Sequence, residues 1–278
     1  MKFFENFHTF VTIGPLSIQW YAIMILIGAT FAYFLGQYRF KQLGYNKEIL
    51  SDFFFNVLFI GIIGARIWYV IFTFDEIYAS HPMEIFAVWH GGLAIQGGIF
   101  AGLAYSYYYF KKHNIPFFVA GDAIMPGVLI AQACGRWGNF FNHEAFGSDV
   151  SLEFLKNLHL PDFIIDNMYI QGAYHHPTFL YESIGNIIVF LLIILVVKKI
   201  QKHVGVQFFS YFVGYGIVRF FVEGLRTDSL MFGPIRMAQL ISIVFIIAGM
   251  IGILYVHKKG MKMDELKHIQ EENINEVI

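Results

Sequence analysis

Apolar residues recur along the chain in long blocks set apart by short polar punctuation. Seven blocks approach the roughly 20 residues that an α-helix needs to cross the hydrocarbon core of a bilayer. They cover 18–36, 52–72, 92–110, 118–134, 179–197, 208–222 and 237–257. The fourth is short and holds Pro126-Gly127, which predicts a kink. The fifth is the clearest, and the sixth turns polar at its far end. Segment 137–177 is too long for a plain connection and reads as a small functional head. After Gly260, Lys, Asp and Glu mix with a few apolar residues, the pattern of a solvated helix or a disordered end. Phe3, Phe7 and Phe10 share one helical face, so segment 3–10 reads either as a helix in the interface plane or as a loose tail. Only Lys2 is basic near the start, and no small-residue cleavage site follows the first apolar block, so no signal peptide is expected and the mature chain should begin near Met1. The two halves show no inverted pattern of broken helices.

Composition makes the same point. Of 278 residues 57% are hydrophobic and only 14% charged, about half of what a water-facing surface requires. Mean hydropathy is +0.57. A net charge of −1 excludes a basic nucleic-acid binder. The single Cys134 excludes an intramolecular disulfide and a cysteine-rich metal site, and reads as a small packed residue.

Basic residues orient the spans. Arg39, Lys41 and Lys47 follow the first, Lys111 and Lys112 the third, Lys198, Lys199 and Lys202 the fifth, and Lys258, Lys259, Lys262 and Lys267 the last. The intervening connections are poor in Lys and Arg. The pattern predicts an all-α integral membrane protein of seven spans, with the N-terminus outside and the C-terminus cytoplasmic. Residues 1–258 would form one transmembrane domain with an outer head at about 137–177, and 259–278 a cytoplasmic tail.

Five arginines lie outside the basic loops: Arg66, Arg136, Arg219, Arg226 and Arg236. Charge in hydrocarbon costs at least ~2.5 kcal/mol, so such residues point to function. Counted along their spans at about 1.5 Å per residue, they gather with Tyr21 and His90 toward the outer side. Arg219, Glu223 and Arg226 share one helical face. That triad reads either as a self-neutralising structural cluster or, preferred here, as a net-positive site in which Glu223 orients arginine forks suited to phosphate. His90-Gly91-Gly92 and Gly97-Gly98 bracket Leu93, Ala94, Ile95 and Gln96. Such a stretch permits irregular backbone over a covered cavity, and the second pair serves equally well as a helix-packing face. Gly135 to Gly147 packs Arg136, Asn139, Asn142, His143 and Glu144 among aromatics. The adjacent His175 and His176 point in different directions, no H-E-x-x-H occurs, and no acidic ladder is present, so no metal site is expected.

These motifs resemble those of the bacterial phosphatidylglycerol–prolipoprotein diacylglyceryl transferase family. The resemblance rests on His90 to Gly98, Gly135 to Gly147, His176-Pro177-Thr178-Phe179-Leu180-Tyr181-Glu182 and Arg219 to Arg226, with Gly64-Ala65-Arg66 as a weaker match. It spans nearly the whole chain. It implies seven spans with a small outer head in the bacterial cytoplasmic membrane, the active site facing the outer leaflet. The implied reaction moves the diacylglyceryl group of phosphatidylglycerol to the lipobox cysteine thiol of a prolipoprotein signal peptide and releases glycerol 1-phosphate, with no cofactor. By position, Tyr21, His90, Arg136, Asn139, Glu144, Gly147, Arg219, Glu223 and Arg226 match residues important in that family; Trp137 and Phe179 depart from it.

The chemistry fits the residue types. The phosphate goes from one negative charge towards two as its C–O bond breaks, so arginines bind the transition state more tightly than the lipid. That suits Arg136 and Arg219 as catalytic groups, with Arg66 and Arg226 adding charge. Tyr21, Asn139 and Glu144 would orient the head group. His90 is a candidate base for a thiol whose ordinary pKa is near 8.5, and a purely electrostatic role for it stays open. The alternatives are an anion or lipid-phosphate transporter and a non-catalytic phospholipid-binding protein.

Overall fold

The structure is a computed structural model that describes residues 2–3, 6–14, 16–88 and 91–277. It is mostly helical. Among the described residues six helices are long and apolar enough to cross a membrane. These are α1 (Trp20–Gln42), α2 (Lys47–Phe72), α4 (Phe117–Asn142), the helix Thr178–Ile200, α9 (Val206–Leu225) and α10 (Met237–Lys259). The helix Thr178–Ile200 comprises α7 (Thr178–Leu192), a π-helical turn Ile193–Val197 and α8 (Lys198–Ile200). The expected third span is α3 (Ile95–Lys112). It is helical but less apolar than the other six, because it carries Gln96, Ser106, Lys111 and Lys112 among its glycines and tyrosines.

The chain forms two compact units. One is residues 36–120, and the other is residues 1–35 with 121–278. In the first, α2 and α3 run antiparallel and cross where a Cβ on Gly64 would stand 2.7 Å from the Gly97 carbonyl oxygen. Small residues let the two backbones touch. The second Gly-Gly pair is therefore a helix-packing face. Gly91 and Gly92 have left-handed φ values of 89° and 74° and belong to the irregular segment before α3.

The larger unit is organised by helix pairs. Ala131 and Ala32 meet Gly28 and Gly127 at van der Waals range, which sets α1 antiparallel to α4, with Cys134 packed beside Gly28. Helix α4 stays helical through Pro126 and runs on to Asn142. Trp137, Phe140 and Phe141 therefore ride on the helix and pack against the core of the segment that follows it. His143 at φ 51° then turns the chain out of the helix. The head holds α5 (Leu152–Asn157), α6 (Asp162–Asn167) and a sheet ordered β4-β6-β5, from Asp149–Val150, Ala173–His175 and Tyr169–Ile170. Leu155, Ile164, Ile165, Met168 and Ile170 close its core over Phe140 and Phe179.

The N-terminus is neither an interfacial helix nor a loose tail. It is an antiparallel ribbon of β1 (Lys2–Phe3), β2 (Thr9–Ile13) and β3 (Leu16–Gln19). Phe7 supplies the reason: its ring stacks on His143 at 4.8 Å and meets Phe140, Phe141 and Phe163 of α4 and the head. A short hairpin, β7 (Met231–Phe232) and β8 (Ile235–Arg236), joins α9 to α10. The tail after Gly260 forms α11 (Met263–Val277), tied down by buried Leu266 and by the Met263 amide donating to the Lys202 carbonyl.

Candidate active site

The ends of α4, α7 and α9 that adjoin the head carry charge in otherwise apolar helices. Arg136 and Asn139 lie one turn apart on α4, and Arg136 Nη1 donates to Asn139 Oδ1 at 3.0 Å. Asn139 Nδ2 in turn donates to Glu144 Oε1 at 2.7 Å, which fastens the first loop of the head to the helix. On α9, Arg219 Nη2 lies 2.5 Å and Arg226 Nε 3.9 Å from Glu223 Oε2. The i, i+4, i+7 face read from the sequence is therefore one ion cluster.

Glu182 joins the two halves of this cluster. It sits in the second turn of α7 and is 1% exposed. Its Oε2 accepts from Arg219 Nη1 at 3.0 Å, and its Oε1 lies 3.1 Å from Arg136 Nε. The second contact is an ion pair without hydrogen-bond alignment, since both atoms are buried and lack a well-directed partner. Arg136, Arg219 and Arg226 against Glu182 and Glu223 leave this buried layer one positive charge in excess. Beyond it, Arg226 forks onto the Asp228 carboxylate with two bonds of 2.9 Å. Burial alone would raise the Asp228 carboxyl; the hydrogen bond and charge of Arg226 outweigh it and hold the group below its ordinary value of 3.8. Arg236 donates to the Glu223 and Arg226 carbonyls, closing the C-terminal turn of α9.

Two more expected residues meet this layer through close backbone approach. A Cβ on Gly138 would lie 2.5 Å from the Tyr21 ring, so Tyr21 of α1 rests on α4 between Arg136 and Asn139 in sequence. Gly147 bonds the His176 carbonyl through its amide and pairs with Arg226 in a β-bridge. A Cβ there would stand 2.6 Å from His176 Cβ and 3.0 Å from the Leu225 carbonyl oxygen. Only glycine lets the head strand, the α7 entry and the α9 exit meet. The adjacent histidines diverge: the His175 ring bridges the Gly147 and Ile170 carbonyls at 3.0 Å each, while His176 Nδ1 faces Tyr181 Oη at 3.3 Å.

A narrow crevice against the ion layer is lined by Arg136, Asn139, Ala145, Thr178, Phe179, Glu182, Val222 and Arg226. Its polar wall, the Arg136 and Arg226 guanidinium groups and the Asn139 amide, has the donor chemistry of an anion site. Asn139, Thr178 and Phe179 also line a second small crevice with Phe140, His143, Phe146, Met168 and Ile170.

Arg66 is placed otherwise. It belongs to the 36–120 unit, and its guanidinium donates to five backbone carbonyls, those of Glu84, Ile85, Ala87, Gly91 and Gly92. It uses its whole donor set to brace the segment before α3. His90 lies outside the described residues. Sequence reasoning gave no role to Glu182 and did not single out Asp228. The signal for Glu182 is a carboxylate just inside the most apolar span.

Comparison with known proteins shows the family. The model of the prolipoprotein diacylglyceryl transferase family matches residues 8–255. A protein of Staphylococcus haemolyticus is 49% identical over 248 residues, covering 89% of this chain and 87% of that one. One of Staphylococcus epidermidis is 45% identical over 258 residues, 92% and 90% of the two chains. One of Staphylococcus aureus strain Newman is 47% identical over 246 residues, 87% and 86% of the two. All three bear the name phosphatidylglycerol–prolipoprotein diacylglyceryl transferase. With this match and six helices long and apolar enough to cross a membrane among its described residues, the chain is a multi-pass membrane protein that belongs to the prolipoprotein diacylglyceryl transferase family.

Proposed function

We propose that this protein transfers the diacylglyceryl group of phosphatidylglycerol to the lipobox cysteine of prolipoproteins, the activity named in its relatives. The observation that carries the reading is Glu182, which pairs with both Arg136 and Arg219 beside a crevice lined by Arg136, Asn139 and Arg226. In the reaction, the sulfur–carbon bond forms at the glycerol carbon as the carbon–oxygen bond to phosphate breaks. The bonding pair leaves with glycerol 1-phosphate, whose second negative charge develops against the two guanidinium groups. Asn139 and Glu144 orient the head group from the head side, and Tyr21 flanks them. We assign the thiol proton to His90, an assignment that rests on the sequence pattern. The family and its apolar helices do not favour the transporter alternative.

We also read α3 as a seventh span. It lies antiparallel along α2 through Gly64 and Gly97 and ends in Lys111-Lys112. Seven spans with this basic pattern put the head and the site at the outer leaflet of the bacterial cytoplasmic membrane and the tail 259–278 in the cytoplasm. Residues 1–258 then form the catalytic domain.

The test is reconstitution of the purified chain with phosphatidylglycerol and a lipobox peptide. The peptide should gain one diacylglyceryl mass, with glycerol 1-phosphate released and a Cys-to-Ser peptide left unchanged. Arg136→Ala and Arg219→Ala should fold and form no adduct. Full activity in both variants would remove the phosphate-site assignment.

A further inference from the structure

Asn186 lies one helical turn from Glu182 on the same face of α7, farther from the head. It is 0% exposed, and neither its amide nitrogen nor its amide oxygen has a hydrogen-bond partner among the described residues. The neighbouring helices repeat the arrangement. Gln132 sits one turn below Arg136 on α4, and Tyr215 one turn below Arg219 on α9. Gln132 Nε2 donates to Tyr211 Oη at 3.0 Å, while its Oε1 is buried and unpaired. Tyr211 and Tyr215 stack at 5.8 Å, and Tyr215 is within electrostatic reach of Glu182, Arg136 and Arg219. A polar layer therefore underlies the ion layer.

Buried amides are nearly always paired, so an orphan at this depth calls for a reason. The ion layer supplies one. Arg136 and Arg219 both face Glu182, yet a bound phosphate must draw guanidinium donors toward itself. Glu182 Oε1, which already lacks a well-aligned donor, would then lose its paired cation Arg136. A buried carboxylate stripped of a partner opposes the binding that strips it. The side chains at i and i+4 start from Cβ atoms about 5–6 Å apart, a gap that one rotamer change closes.

We propose that Asn186 is a positioning residue for Glu182: as Arg136 turns to the phosphate of the lipid, the Asn186 amide donates to the freed Oε1 of Glu182. The inference rests on the transferase reading above. It makes Asn186 matter more to the anion-bound protein than to the free one.

The test compares Asn186→Leu, which keeps the volume and loses the donor, with Asn186→Ser, which keeps a small donor. Both are measured as full-length protein in lipid nanodiscs. The readouts are KM for phosphatidylglycerol, kcat, inhibition by glycerol 1-phosphate, and Tm with and without glycerol 1-phosphate. In Asn186→Leu, KM and the inhibition constant should each rise about tenfold, the scale of one hydrogen bond to a charged group. Tm without ligand should stay at or above wild type, and Asn186→Ser should recover most of the affinity. Unchanged KM and inhibition constants in Asn186→Leu overturn the proposal, and so does a change accompanied by a lower ligand-free Tm. If the wild type forms no adduct, the transferase reading fails, and the ligand-induced shift in Tm still reports on Asn186.

Discussion

Arg219 Nη1 donates to Glu182 Oε2 across 3.0 Å, although the two residues stand 37 positions apart on different helices. The same carboxylate faces Arg136, so two cations that would repel each other are held side by side before any substrate arrives. Donors already gathered at one carboxylate need only a side-chain turn to meet the charge that develops on a leaving phosphate. The layer's stability and its catalytic use thus depend on one carboxylate.

Glu182→Gln keeps the shape and removes the charge. Breaking a buried ion pair costs about 3–5 kcal/mol, and here two arginines lose their shared partner. The expected result is a lower Tm together with a fall in kcat/KM of at least about 100-fold. Unfolding followed in detergent beside adduct formation will separate the two effects. A variant of wild-type activity would deny Glu182 its organising role.

Arg66 bridges carbonyls spread from Glu84 to Gly92. Arg66→Ala should free that segment at a cost of about 1–3 kcal/mol, the penalty of unpaired backbone acceptors. Arg66→Lys should rescue it poorly, because an ammonium cannot match a planar fork of five donors. Limited proteolysis should show new cleavage between Thr73 and Ala94 in both variants. Protection equal to wild type would refute the brace.

Acid should weaken the head. Burial, then the nearby His8, lowers the pKa of His143 from its ordinary 6.5, and burial lowers that of His176. The unfolded chain therefore takes up protons on these rings at a higher pH than the folded one. Their contribution is intact above about 6.5 and is lost as pH falls through the depressed folded values. Tm should drop on acidification below about 6.5, and His143→Gln should flatten the drop. A Tm independent of pH through this window would contradict the assignment.

The apolar runs were legible because transfer into a bilayer is a per-residue property that sums along one segment. Helix positions and the basic ends of the helices could be read this way. So could the ion pairs within one turn of α9, since i, i+4 neighbours need no other helix. Family motifs added the reaction, as the match over 8–255 supports. Tertiary structure alone decided the rest. Whether Glu182 faces lipid or two arginines depends on how α7 is rotated against α4 and α9. Whether Arg66 meets a phosphate or five carbonyls depends on the path of the segment before α3. The N-terminal ribbon forms because Phe7 finds an aromatic cluster more than 130 residues away. Partners so distant in sequence leave no local pattern, because helix crossing and packing, not spacing along the chain, bring them together.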